Sequence, residues 1–410
     1  MKQNNAAELL SPAGDEESLI AALRYGADAV YLGAKSFGMR AKAANFSPDA
    51  LVSAVNLAHA QGARVYLTCN TLPRGRELDE LPEFIRFAAQ AGVDALVVAD
   101  LGVLALAKKI TPQLPCHVST QFGVVNHLTA RELHNMGASR VILARELTLE
   151  EISEIKDKTP PALCLEAFVH GAMCVSVSGR CVISNYLTGR DANRGGCAQP
   201  CRWRYSLVES ERPGQHFPVF EEDGYTYLFN ANDLCMIEHL DKLSSAGVGS
   251  FKIEGRAKSA YYTAVVTNAY RKALDILSEK GAGSPLPEWL LAEVEKISHR
   301  PYCTGFYLKD NPPGQDRVRG GYNRYWQLVA TVDGYENGYI LCTERNRFSR
   351  GETLEALTPG GPPVSLTVEE MLDEEGQPIE TARHPMMRVR IKSDLPLVRG
   401  AMLRREQGEG

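Results

Sequence analysis

The sequence predicts an α/β chain: a (β/α)8 TIM-like barrel with a cysteine-rich insertion and a small C-terminal all-β domain. Three observations predict it. A glycine that closes a helix and leads at once into a short apolar strand recurs along the chain. Those strands alternate with amphipathic segments. Near residue 325 the alternation gives way to strands separated by turns.

The recurring junction runs from Gly26 to Val30, Gly62 to Val65, Gly92 to Leu96, Gly137 to Val141 and Gly247 to Phe251. Glycine ends a helix in the left-handed conformation at no steric cost. Buried parallel strands read as short apolar runs. Eight strands are expected, at about 8–11, 28–32, 64–69, 94–98, 115–119, 140–143, 163–169 and 249–253. Helices are expected between the first seven, as at Asp15–Tyr25 and Leu147–Lys156. An open doubly wound sheet is the rival, but no GxGxxG turn supports a dinucleotide site. The expected division is residues 1–281 for the barrel, with an insertion at 171–248, then a Pro/Gly-rich connection at 282–324 and a β-barrel-like domain at 325–410.

Composition narrows the function. Hydrophobic content of 44% and charged content of 23% are those of a globular chain. No run of 18 apolar residues spans a membrane, and no apolar segment follows the basic start of the N-terminus, so a cytoplasmic location is expected. The net charge of −5 gives no overall field that attracts nucleic acid, so any RNA contact must be local. The stretch Arg383–Arg405 holds seven basic residues against Asp394, either a phosphate-binding face or a solvated strand edge. Trp203 and Tyr205, beside Arg202 and Arg204, either stack on a splayed base or pack under a loop.

Five of the ten cysteines fall between Cys174 and Cys235, and such clustering in a long chain suggests metal before disulfide. Cys174 and Cys181 are seven apart, Cys197 and Cys201 four apart, in Gly/Ser-rich surroundings. Neither spacing is that of a short zinc knuckle. A backbone able to hydrogen-bond sulfide favours an iron–sulfur cluster over zinc or over no metal. Cys235 is an alternative fourth ligand. Cys69, Cys116, Cys164, Cys303 and Cys342 lie in apolar runs and read as small buried hydrophobes.

The ends of barrel strands hold the chemistry. Polar residues there are Asn70, Asp100, Gln121, Arg145, Glu146, His170, Glu254 and Arg256. Glu166, His170 and Glu254 are the acid–base candidates, although Glu166 serves equally well to orient an arginine. Arg40, Arg145, Arg180, Arg190, Arg194 and Arg256 are candidates for binding an acidic substrate, and Gln121 for a uracil edge.

Long blocks then resemble one family. Glu166–Cys174, Ser178–Ser184, Asn193–Trp203 and Lys252–Ser259, with Glu8–Gly14, Gly26–Tyr31 and Val141–Leu147, are similar to the collagenase-like peptidases of family U32. The peptidase name finds little support in the residues: no HExxH occurs, and His170 near Cys174 is the nearest approach to a nucleophile–base pair. Members of the family hydroxylate the wobble uridine of tRNA, a cytidine of ribosomal RNA, or a ubiquinone precursor. Chain length and the segments Asn346–Glu352 and Leu354–Pro359 resemble the tRNA branch. That resemblance implies 5-hydroxyuridine as product and prephenate, rather than O2, as hydroxyl source. It also implies a 4Fe–4S cluster on Cys174, Cys181, Cys197 and Cys201, with Cys235 keeping the fourth ligand open. It leaves open a second family member or a methyltransferase as protein partner. A peptidase, or an rRNA cytidine hydroxylase, is the alternative.

Overall fold

In the computed structural model the described residues are 7–38, 44–173, 183–190, 196–200, 207–208, 216–217, 220–222, 225–227, 231–308 and 322–407. Strands β1 (Glu8–Pro12), β2 (Ala29–Gly33), β3 (Arg64–Cys69), β4 (Ala95–Val98), β5 (Cys116–Val118), β6 (Ala138–Ile142), β7 (Cys164–Ala172) and β8 (Val248–Ile253) pair in parallel, each with the next. β8 pairs with both β7 and β1, which closes an eight-stranded barrel rather than an open sheet. The five glycines that end the preceding helices all have positive φ, between 74° and 101°.

Local sequence sets the helices. α1 (Glu16–Arg24) starts where the Asp15 side chain accepts the Ser18 amide. The helix Leu149–Asp157 starts at a capping box of Thr148 and Glu151. Asp100, at the end of β4, caps the helix Leu101–Ile110 by accepting the Val103 amide at 3.0 Å, so its polar character serves the helix.

The long excursion after β7 begins and ends beside the barrel. Ala172, Gly171 and His170 pair antiparallel with Asp233, Leu234 and Cys235. The segment read as a plain connection contains the helix Glu288–Val294 and the strand Tyr302–Cys303, which joins the barrel's sheet beside Asp233–Cys235. The last 21-residue helix of the barrel, Ala260–Lys280, packs across α1.

The C-terminal domain is a seven-stranded antiparallel sheet, in the order Val364–Thr367, Thr353–Leu357, Met402–Glu406, Trp326–Glu336, Tyr339–Glu344, Arg388–Lys392, Met371–Leu372. It has its own apolar core around Val329, Ile340, Phe348 and Ile391. It docks on the barrel through the Tyr25 hydroxyl, which donates to the carbonyls of Leu357 and Gly400, and through an Arg345–Glu17 ion pair.

Candidate active site at the barrel mouth

Strands buried on both faces are normally apolar, yet Glu8, Arg140, Glu166 and Lys252 lie in them and are buried. Charges persist there only when paired. Arg140 Nη1 donates to Glu8 Oε1 at 2.6 Å and to Glu166 Oε2 at 2.8 Å. Lys252 Nζ donates to Glu166 Oε1 at 2.7 Å. The hydroxyls of Tyr66 and Ser250 donate to Glu8 at 2.6 and 2.9 Å, and Arg64 reaches the same carboxylate. Burial pushes both carboxyls up, but the neighbouring cations outweigh it and hold them below the usual carboxylate range: Lys252 and Arg140 for Glu166, Arg140 and Arg64 for Glu8. Glu166 is therefore an ionised strut that fixes Arg140 and Lys252.

Alternate residues of β8 face inward. Glu254 follows Ser250 and Lys252 at the C-terminal end of the strand, where such barrels carry their chemistry. Arg145, past β6, has its guanidinium carbon 3.9 Å from the centroid of the Phe168 ring, bonds the Ala172 carbonyl and stands 3.4 Å from Glu254. Gly171 has φ +107°, and a Cβ there would fall 2.6 Å from the Glu254 carbonyl, so only glycine lets β7 pass this closely. Arg256 is buried and donates Nη1 to Thr68 Oγ1 at 2.5 Å. A Cβ on Gly33 would come within 2.5 Å of that nitrogen, and one on Gly38 within 3.6 Å of its twin, so the guanidinium lies in a glycine-lined slot. Gln121 follows β5 in a short 3-10 turn, and its Oε1 is buried with no hydrogen-bond partner among the described residues. Such an orphan costs about 1–3 kcal/mol, relieved when a bound donor arrives.

His170 lies apart from this group. The β7–β8 register shifts between the pairs Phe168–Lys252 and His170–Ile253. The imidazole packs against Tyr262, Tyr270 and Tyr302, and its Nδ1 is 3.3 Å from the Tyr270 hydroxyl. Burial, helped by His299 and Lys258, lowers its pKa to about 3, so the ring is neutral. Arg190 is exposed beyond the short helix Ile183–Thr188. Arg40, Arg180, Arg194, Cys174, Cys181 and Cys201, with Trp203 and Tyr205, lie outside the described residues.

Cys197 is half-buried, and its sulfur accepts the Gln199 amide at 3.3 Å. Cys235 sits opposite His170 in the antiparallel pair, with its sulfur 3.8 Å from the Tyr270 hydroxyl; burial pushes its thiol up to about 12. Among the described residues no three of His, Cys, Asp and Glu form a metal-binding group. Cys69, Cys116, Cys303 and Cys342 are buried and Cys164 half-buried, as small apolar side chains would be.

The basic stretch Arg383–Arg405 divides. Arg388, Arg390 and Lys392 are exposed and alternate with buried Val389 and Ile391, and Arg388 and Lys392 are paired with Glu374 and Glu370. Arg404 is fully buried, bound to Glu293 at 2.6 Å and to Glu355, and Arg405 pairs with Glu352. A strand turns alternate residues to opposite faces, so Arg404 serves the domain seam and is closed to phosphate.

Sequence reasoning passed over Glu8, Tyr66, Arg140 and Lys252 as site residues. The available signal was a charge inside a short apolar strand, which demands a buried partner.

Two matches describe nearly the whole chain. Residues 14–317 match the profile of peptidase family U32, and residues 324–404 that of the peptidase family U32 C-terminal domain. The chain is 34% identical over 402 residues to "tRNA hydroxylation protein P1" of Bacillus subtilis, covering 97% of this chain and 94% of that protein. It is 34% identical over 446 residues to "tRNA hydroxylation protein P" of Escherichia coli, covering 98% and 97%. It is 39% identical over 299 residues to a 23S rRNA 5-hydroxycytidine synthase of Escherichia coli, covering 72% of this chain and 44% of that one. With both its barrel and its C-terminal β domain matched, the chain belongs to peptidase family U32.

Proposed function

We propose that this chain is an RNA hydroxylase that converts the wobble uridine of tRNA to 5-hydroxyuridine, with prephenate as hydroxyl donor and a 4Fe–4S cluster as cofactor. The observation that carries the reading is its similarity, end to end, to relatives named tRNA hydroxylation proteins. The rRNA synthase matches over less than half its own length, which favours tRNA as the substrate.

The mouth suits such a reaction. Arg256 in its glycine-lined slot and Arg145 beside Glu254 offer planar, two-pronged donors to the carboxylates of prephenate. Arg40, Arg180, Arg190 and Arg194 are further candidates from the neighbouring loops. The orphan oxygen of Gln121 suits the N–H of a uracil edge. Of the three acid–base candidates, Glu254 is the one at the mouth; Glu166 is locked by two cations and His170 is packed beneath tyrosines.

Cys174, Cys181, Cys197 and Cys201 would hold the cluster. The Gln199 amide bonded to the Cys197 sulfur is the kind of contact that tunes a cluster thiolate. Cys235, hydrogen-bonded to Tyr270 within a strand pair, is the weaker choice for fourth ligand. When bound, the cluster supplies the redox capacity that oxidising a pyrimidine carbon needs and side chains lack.

A cysteine-peptidase reading would need a thiolate–imidazolium pair. Cys235 and His170 are neighbours, but burial drives both toward their neutral forms.

Nucleoside mass spectrometry of tRNA from a deletion strain, with and without the gene restored, tests the reading; wobble 5-hydroxyuridine should vanish and return. Unchanged modification in a strain lacking family paralogues would defeat it. For the cofactor, anaerobically prepared protein should hold about four irons per chain. Cys197→Ser should abolish that iron, while Cys235→Ala should keep it.

A further inference from the structure

A cleft of about 350 Å³ opens where the loop after β8 meets the first strand of the C-terminal domain. Its walls include Lys258 and Tyr261 from the barrel and Arg324, Trp326, Gln327 and Gln407 from the β domain. Among the described residues, none that lines it is a carboxylate.

Trp326 is half-buried with two cations against its ring: Lys296 Nζ lies 4.6 Å, and the Arg404 guanidinium carbon 5.4 Å, from its centroid. Both cations are tied to Glu355 and Glu293, so the indole sits on a rigid base. Lys258 Nζ stands 4.2 Å from the Tyr322 ring and 5.3 Å from the Tyr262 ring. The cleft also adjoins the mouth. Tyr262, in its wall, donates its hydroxyl to the Glu254 carbonyl at 2.8 Å, and Lys258 follows Arg256 by two residues.

A volume of this size takes a small ligand. Aromatic platforms beside cations, with amides to hand, are how proteins hold single-stranded nucleic acid without requiring a particular sequence. We propose that this cleft binds one unpaired nucleotide of the RNA next to the base delivered into the barrel. Its phosphate lies on Lys258 and Arg324, its base stacks on Trp326, and Gln327 and Gln407 meet the base or ribose edge. The proposal rests on the RNA reading above and adds the place where the strand flanking the target is gripped. It gives the C-terminal domain a part in substrate binding that the barrel alone cannot perform, because Trp326, Gln327 and Gln407 of the cleft wall come from that domain.

The test uses the full chain, prepared with its cluster, and a fluorescent anticodon stem-loop titrated at several salt concentrations. Each phosphate contact to a single strand contributes about 0.7 to the slope of log affinity against log salt. Lys258→Gln with Arg324→Gln removes the grip on that one phosphate and should therefore flatten the slope by about 0.7. Lys258 also contacts the Ser298 carbonyl and the Tyr262 and Tyr322 rings, so thermal unfolding of the pair is measured alongside and the slope is read on folded protein. Trp326→Ala should weaken binding roughly tenfold and Trp326→Phe much less, since a ring remains to stack. If the wild type binds the stem-loop and the charge pair keeps its slope and affinity, the cleft proposal is overturned while the RNA reading stands. If the wild type binds no RNA under any of these conditions, the underlying reading fails and takes the cleft with it.

Discussion

Burying the Arg140 guanidinium between Glu8 and Glu166 takes three charges out of water, and their mutual attraction must offset that loss. Removing one partner is then far worse than never having built the network. Arg140→Met leaves two buried carboxylates with Lys252, Arg64 and two hydroxyls between them. The expected cost is about 3–5 kcal/mol, read from urea unfolding; a loss under about 1 kcal/mol would show that the network contributes little net stability. The pH dependence has a definite sign. The folded pKa values of Glu8 and Glu166 lie below the ordinary value of a free glutamate, so the native state binds fewer protons than the unfolded chain. Their contribution is fully present above about pH 4.5 and is lost as pH falls through the lowered values. In Arg140→Met the decline should begin at a higher pH, because of the cations only Lys252 then holds Glu166 down and only Arg64 holds Glu8, against the same burial.

At the scale of an element, the end of β2 and the loop after β8 are matched by what is missing between them. Gly33→Ala would place a methyl 2.5 Å from Arg256 Nη1. The obstructed atom is the end of a long side chain, so the guanidinium shifts and the strand stays. Stability should fall by about 1–3 kcal/mol, since the buried guanidinium is pushed off Thr68. Binding of prephenate, the co-substrate proposed above, should weaken about tenfold in calorimetry, the value of one displaced charged hydrogen bond; unchanged affinity would remove Arg256 from the proposed anion site. Gly14 differs in kind. A Cβ there would meet the backbone carbonyl of Arg256 at 2.1 Å, which cannot swing aside, so Gly14→Ala should damage the fold itself. The strands and their closing glycines were legible from local pattern because chain direction, apolar run and left-handed turn are all local properties. The turned-away His170 was not, because the register shift in β7 depends on how β8 and Asp233–Cys235 pair with it.

Across the whole molecule, Arg404 ties three parts together: its own strand, Glu355 of the neighbouring strand, and Glu293 of the helix that precedes the β domain. Lys296 bridges the same two carboxylates. Arg404→Met should cost about 3–5 kcal/mol. In calorimetry it should also split one unfolding transition into two, as the β domain loses its hold on the barrel. A single transition with unchanged midpoint would show that Tyr25 and the apolar seam suffice. Raising salt should change little, since the Arg404–Glu293 pair is closed to solvent. No described helix is long and apolar enough to cross a membrane.

The sequence by itself determined the order of the eight barrel strands and the helices between them, and the segment that gathers the cysteines. Those features depend on neighbours a few residues apart, through turn conformation and the side on which apolar groups fall. It also marked Arg145, Glu254 and Arg256, because in a parallel barrel the C-terminal strand ends share one face. Only the tertiary structure decided that Glu166 is a strut, that Arg404 belongs to a seam, and that Lys258 and Trp326 share a cleft. A buried charge takes its role from its partner, and those partners lie between 49 and 132 positions apart along the chain for the pairs Arg404–Glu355 and Arg140–Glu8.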